Sequence, residues 1–264
     1  VMALGQQAEG KQSVHVGFQI RYAPEYKEMV RRIHEGAIGE IATVQGYYLA
    51  GDLPRRASQG MSPQEAKLRD WVFDRALSGD VLVEQNIHIL DWINWALKSK
   101  PEKAYAVTGR KVRTNVGDVN DHFVTVYRYP GNINVGFQST QFLPKWADVA
   151  VRFLGSKGYA EAHYSGGVFI SGAGEWKAEP PPPSPGRPKP EIDPLGEATP
   201  EKVKAFVSGI QSGKFENQLV QGAESTLSAI LGRQAAYRAK EITWEQLLKS
   251  NQQWKTDVNV ERFA

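Results

Sequence analysis

The sequence predicts an α+β fold: an open, mostly antiparallel sheet covered on one face by helices. Three observations point there. Strand-like runs follow one another between residues 103 and 164 with no helical segment between them, and consecutive strands of that kind pair antiparallel. Helical periodicity clusters before residue 100 and after residue 200. The composition, 41% hydrophobic and 23% charged over 264 residues, is that of a globular chain able to bury a core.

Each element has its own signal. Residues 2–9 look like the end of a helix, and "SVHVGFQI" (13–20) alternates like a strand. "PEYKEMVRRIHEGAIG" (24–39) sets Tyr26, Met29, Val30 and Ile33 at helical spacing, with Pro24 in the first turn and Gly36 and Gly39 at the end. "EIATVQGYYLA" reads as a strand, and the polar stretch 51–70 as a long loop of the kind that often carries function. One helix of about 15 residues should start near Gly79. Strands are expected at 103–109, 121–129, 132–141, 147–154 and 158–164, with one more strand and a turn in 165–174. "YPGN" (129–132) is a hairpin turn. "EPPPPSPGRPKPEIDP" (179–194) is an extended connector, because proline removes donors and fixes φ. Helices at 200–212, 219–240 and 243–254 close the chain.

Composition narrows the function. The net charge is +3 with no block of like charges, so there is no nucleic-acid footprint. With no cysteine, disulfides, zinc thiolates and a cysteine nucleophile are all excluded. No apolar run of membrane-spanning length occurs.

Chemistry concentrates in "LSGDVLVEQNIHILDWINWAL" (77–97). Residues four apart share a helix face, so Glu84 and His88 can meet one ligand. A histidine oriented by a carboxylate is a general base. Asp80 suits the helix N-cap, and Asp91 has either a structural or a ligand-facing role. Other candidates are Arg21, Trp71, Asp121 with His122, and Lys145 with Trp146. Trp92 and Trp95 fit the core. No metal-ligand spacing such as H-E-x-x-H is present, so no metal is expected.

"VGFQIRYAPEYKEMVRRIHEGAIGEI" and "GDVLVEQNIHILDWINWAL", with the tail "VKAFVSGIQSGK" and "ESTLSAILGRQAAYRAKEITWEQLL", resemble the C-terminal part of the Gfo/Idh/MocA oxidoreductases across essentially the whole chain. The resemblance implies that residues 1–20 are a remnant of a Rossmann domain. Residues 21–264 would be the family's C-terminal domain, with Gln19, Arg21 and Tyr22 at the junction. It implies Glu84 and His88 as the catalytic pair, glutamate standing where the family commonly has aspartate. It implies a sugar or polyol substrate, and in the family NAD or NADP. The dinucleotide fingerprint G-x-G-x-x-G after a strand is absent, and so is the family's glutamate–lysine–proline motif. No cofactor is therefore expected for this chain alone, and no hydride transfer by it alone. Two alternatives stand beside the reading as a substrate-binding half: a glycoside hydrolase or lyase using Glu84 with Asp91, Asp118 or Asp121, and a non-catalytic sugar-binding or assembly module. A homo-oligomer through the open sheet face is expected in every case. The resemblance is to a branch often accompanied by bacterial export signals, so cytoplasm and periplasm both remain open.

Overall fold

A sheet assembled around β1 organises the computed structural model, which describes residues 1–180 and 194–259. Helix α1 (Met2–Ala8) precedes α2 (Pro24–His34) and strand β1 (Ile41–Ala50). Four helices follow: α3 (Pro63–Arg69), α4 (Arg75–Ser78), α5 (Val81–Glu84) and α6 (Ile87–Leu97). Then comes the meander: β2 (Lys103–Gly109), β3 (His122–Tyr129), β4 (Ile133–Gln141), β5 (Asp148–Gly155), β6 (Gly158–His163), β7 (Val168–Gly172) and β8 (Trp176–Lys177). Helices α7 (Pro194–Ser212) and α8 (Leu219–Arg238), the short strand β9 (Ile242–Thr243) and α9 (Trp244–Leu248) complete the described chain.

The strand order is β8-β7-β6-β5-β1-β4-β3-β2-β9. The pair β1–β4 is parallel, in register Gly46 with Phe137, and the other neighbours are antiparallel. Alternation then divides the side chains. Ala104, Ala106, Phe123, Tyr127, Val135, Phe137, Val44, Val151 and Phe153 are buried on the helix-covered face. Tyr105, Val107, Val124 and Val126 stand on the other face and are 45–50% exposed. Helix α2 buries the predicted stripe Tyr26, Met29, Val30 and Ile33, each side chain worth roughly 1.5–3 kcal/mol of burial. Among the described residues no helix is long and apolar enough to cross a membrane.

Five expectations change. Residues 13–20 do not form a strand: only Val14 pairs, as an isolated parallel bridge with Asn217, and Gln19–Tyr22 is a 3₁₀ turn. The segment's donors go elsewhere, Val14 N to Glu216 O at 2.8 Å and Val16 N to the Gln218 side chain at 2.9 Å. The loop 51–70 contains α3, started by Pro63 and capped by Ser62 Oγ, which accepts from Glu65 N at 3.2 Å. The single helix from Gly79 is two helices, broken at Gln85 (φ −123°, ψ −54°). Helix α7 begins earlier than residue 200 and carries Pro200 inside it. The last helix is shorter than 243–254, because Ile242–Thr243 pairs with β2 as β9 and α9 ends at Leu248. The proline-rich connector lies, over residues 181–193, outside the described residues.

Candidate functional site

The break between α5 and α6 places the two central side chains. Gly79 and Asp80 both take positive φ (79°), so α5 starts abruptly. Asp80 Oδ1 accepts from Val81 N at 2.6 Å, the capping role its position suggested, and Oδ2 accepts the Tyr237 hydroxyl. Burial pushes the Asp80 carboxyl up, against these bonds. Four residues later the helix opens: Gln85 N and Asn86 N both bond Val81 O, at 3.2 and 3.0 Å. Helix α6 then starts afresh. Glu84 ends one helix and His88 opens the next, so they do not share a continuous helical face and no hydrogen bond joins them.

Glu84 faces the helix-covered side of the sheet. Gln141 Nε2, at the end of β4, donates to Glu84 Oε1 at 3.0 Å. Burial raises the Glu84 carboxyl to about 7, with the Gln141 bond and the Arg113 charge working against the rise. Tyr48 on β1 is itself pushed to about 12 by burial, with the Glu84 charge adding to it. His88 sits edge-on to Phe18 at 6.0 Å, and its Nδ1 is sealed from solvent without a partner. Burial lowers its pKa and the Asp91 charge opposes. At neutral pH the imidazole is uncharged, and Nε2 is the nitrogen left for a ligand.

Gln141 and Arg113 were not among the sequence candidates. Arg113 donates to both oxygens of Gln141, the backbone one at 3.1 Å, and to Asn120 O at 3.3 Å. This fixes which end of the Gln141 amide faces Glu84. The signal was present in β4: its inward row runs Ile133, Val135, Phe137 and then turns polar at Ser139 and Gln141.

The other candidates scatter. Arg21 clamps fully buried Asp91 with Nε at 2.8 Å and Nη2 at 2.9 Å, and Ser225 donates to the same carboxylate at 2.7 Å. Tyr22 accepts from Gln218 at 2.5 Å and meets His15 Nδ1 at 3.1 Å. Asp121 Oδ2 accepts three backbone N–H groups, from Lys111, Val112 and Arg113, and Oδ1 meets His122 Nδ1 at 2.7 Å. His122 alternates with buried Phe123 and shares the outer face with Val124. It therefore stands across the sheet from Glu84. Trp71 is 46% and Trp146 56% exposed, and Lys145 precedes Trp146 with φ 57° in the bend after β4. Asp118, an acid of the hydrolase alternative, bonds Arg75 N at 2.7 Å.

Among the described residues no group of three or more His, Asp or Glu is placed to hold a metal. The parallel pair β1–β4 is not joined by a single crossover helix opening on a glycine-rich turn.

Known proteins share this architecture. A family profile described as "GFO/IDH/MocA C-terminal domain" matches residues 26–161. YteT of Bacillus subtilis (strain 168), an oxidoreductase by name, is 31% identical over 100 residues; that segment is 38% of this chain and 21% of YteT. The myo-inositol 2-dehydrogenase of Lactobacillus plantarum superposes with a TM-score of 0.68 at 20% identity, over 91% of this chain and 68% of that one. A levoglucosan dehydrogenase in complex with NADH and levoglucosan gives 0.68 at 19% identity, over 88% and 66%. An aldose-aldose oxidoreductase from Caulobacter crescentus gives 0.64 at 18%, over 88% and 64%. The chain thus spans about a fifth of the curated relative and about two thirds of these solved structures.

Proposed function

Because the chain belongs to the GFO/IDH/MocA family, we propose that it is the sugar- or polyol-binding, proton-handling half of an oxidoreductase. The observation that carries this reading is the setting of the two side chains at the α5–α6 break: Glu84 Oε1 held by Gln141 Nε2 at 3.0 Å, and a His88 ring whose Nδ1 is sealed without a partner, with burial raising the carboxyl and keeping the imidazole neutral. His88 Nε2 takes the proton of a substrate hydroxyl. Glu84, its carboxyl raised to about 7 by burial, donates or accepts a hydrogen bond to a neighbouring hydroxyl. Gln141, locked by Arg113, keeps Glu84 aimed. Side chains do not accept hydride, so a nicotinamide and the unit that binds it belong to a dinucleotide-binding domain these residues do not form. The names of the structural neighbours, an inositol and a levoglucosan dehydrogenase, support a polyol or sugar as substrate.

Calorimetric titration with myo-inositol and levoglucosan tests the reading. Saturable binding that is lost in His88→Ala and weakened about tenfold in Glu84→Gln is expected. Binding unchanged in both variants would overturn the assignment of the pair. Titration with NADH should show no saturable binding by this chain alone. Turnover of nitrophenyl glycosides without cofactor, abolished by Glu84→Gln, would transfer the site to the hydrolase alternative.

A further inference from the structure

Two cavities, of about 470 and 540 Å³, meet at a common wall made of Arg21, Trp95 and Gln221. Each has the volume of a small-molecule site. Neither Glu84 nor His88 lines either one. Trp95 lies seven residues beyond His88 on α6, about 10 Å further along the helix axis.

The wall is prepared. Arg21 is held on three sides: Asp91 takes Nε and Nη2, the Gln221 carbonyl oxygen accepts from the same two nitrogens at 2.7 and 3.1 Å in the amide orientation that satisfies both groups, and the guanidinium lies 5.4 Å from the Trp95 ring centre. None of those bonds uses Nη1. The side chain is only 15% exposed, so its remaining donors are fixed in place at the cavity wall. An anion met there gains charge-assisted bonds without the cost of ordering a loose arginine.

Around it the charges sort themselves. Lys100 is paired with Glu224 and Lys204 with Glu201 at 3.3 Å, whereas Glu216, at the second cavity, has only His15 at 3.3 Å, an imidazole that balances it only when protonated. Lys27 and Lys98 are exposed at the two ends of the joined cavities, and among the described residues neither is in an ion pair. Arg21 itself is balanced by Asp91, so the unpaired positive charge comes from these two lysines, with Glu216 near Lys27 and none of the cavity's acids left over near Lys98. Trp95, partly buried against the core, turns its remaining surface to both cavities as an apolar platform between them.

We propose that this wall is a second ligand site, which binds an acidic monosaccharide with its ring against Trp95. Its carboxylate or phosphate sits on the free edge of Arg21, within the field of Lys27 and Lys98. The proposal does not rest on the Glu84–His88 reading, because the two sites share no lining residue.

The test is calorimetric titration of the chain at low salt with glucuronate, glucose 6-phosphate, glucose and inorganic phosphate. Acidic sugars should bind, and glucose and inorganic phosphate should each bind at least about tenfold more weakly. The preferred acidic sugar tells carboxylate from phosphate. A Lys27→Glu/Lys98→Glu double variant, altered only at exposed positions, should lose at least about tenfold in affinity, as should Trp95→Leu. His88→Ala should bind as the wild type does. The proposal is overturned if neither acidic sugar binds, or if inorganic phosphate binds as tightly as they do. It is overturned equally if affinity survives both wall variants or disappears in His88→Ala.

Discussion

Glu84 is held where its charge is costly, and that has a measurable sign. A carboxyl whose folded pKa is raised binds its proton more tightly in the folded chain than in the unfolded one. Ionising it therefore removes stability as pH rises from the ordinary value of 4.5 through about 7, and the loss is complete above that. A shift of this size corresponds to about 3 kcal/mol. Glutamine at 84 is neutral at every pH and can still accept the Gln141 bond. Glu84→Gln should match the wild type in urea denaturation at pH 4 and exceed it by up to about 3 kcal/mol at pH 8; equal midpoints at both pH values would refute the raised carboxyl. Much of this residue's setting was legible in the sequence, because a carboxylate beside a histidine in an apolar run announces a buried polar pair. Its partners were less so. Arg113 reaches Gln141 from the β2–β3 loop, 28 residues away along the chain, and no local spacing encodes such a contact. His122, adjacent to Asp121 in sequence and bonded to it at 2.7 Å, is turned to the outer face by strand alternation, away from Glu84.

At the scale of elements, α8 shows how a helix with little amphipathic pattern still finds its place. Ser225, Ser228, Ala229, Gly232, Ala235 and Ala236 are all buried, so the helix backbone lies close against β2 and β3. A methyl group on Gly232 would come within 2.1 Å of the Tyr127 hydroxyl oxygen. Tyr127 is fully buried and has no room to yield. Alanine gains about 1 kcal/mol in helix propensity, but overpacking costs about 1–3 kcal/mol. Packing wins, and Gly232→Ala should lower the unfolding free energy by about 1 kcal/mol, read from a denaturant midpoint; a rise would show that α8 can retreat. The contact of α8 with α6 is polar instead. Asn94 accepts the Tyr129 hydroxyl at 2.6 Å and donates to Ser228 at 3.1 Å. Asn94→Ala leaves that hydroxyl buried and unpaired, so a loss of about 2–3 kcal/mol is expected in the same assay. Strands β2 to β6 were readable because alternation over six to nine residues is a strong local signal, whereas the two-residue β8 is too short to give one. The α5–α6 break was not, since it depends on buried Asn86 and on Val81 O accepting two donors. Residues 13–20 have strand-like sequence, yet a strand needs a ladder, and residues 216–218 offer only one bridge.

For the molecule as a whole, the outer face of the sheet is the unfinished surface. Tyr105 stands opposite Val126 and Val107 opposite Val124, so four exposed apolar side chains form one block over β2 and β3. On the far side of β4 runs a polar ladder over β1, β5 and β6: Arg152 donates to Glu161 at 2.7 Å and to Gln45 at 3.0 Å, and His163 sits between Glu161 and Asp148 at 2.7 and 3.1 Å. A contiguous apolar block rimmed by ordered polar groups is what association surfaces look like. A face carrying both signs of charge can meet its own copy across a twofold axis. We therefore expect a dimer built face to face through this surface, with the apolar block at its centre and the ladder fixing its register. Light scattering at micromolar concentration should give twice the 29.3 kDa of the chain. Val126→Lys should return the chain to monomer without unfolding it, because the residue is half exposed and a new charge on each copy would be buried against apolar neighbours. A wild type that scatters as 29.3 kDa would remove the face-to-face arrangement. A dimer that persists in Val126→Lys would move the interface to another surface of the molecule.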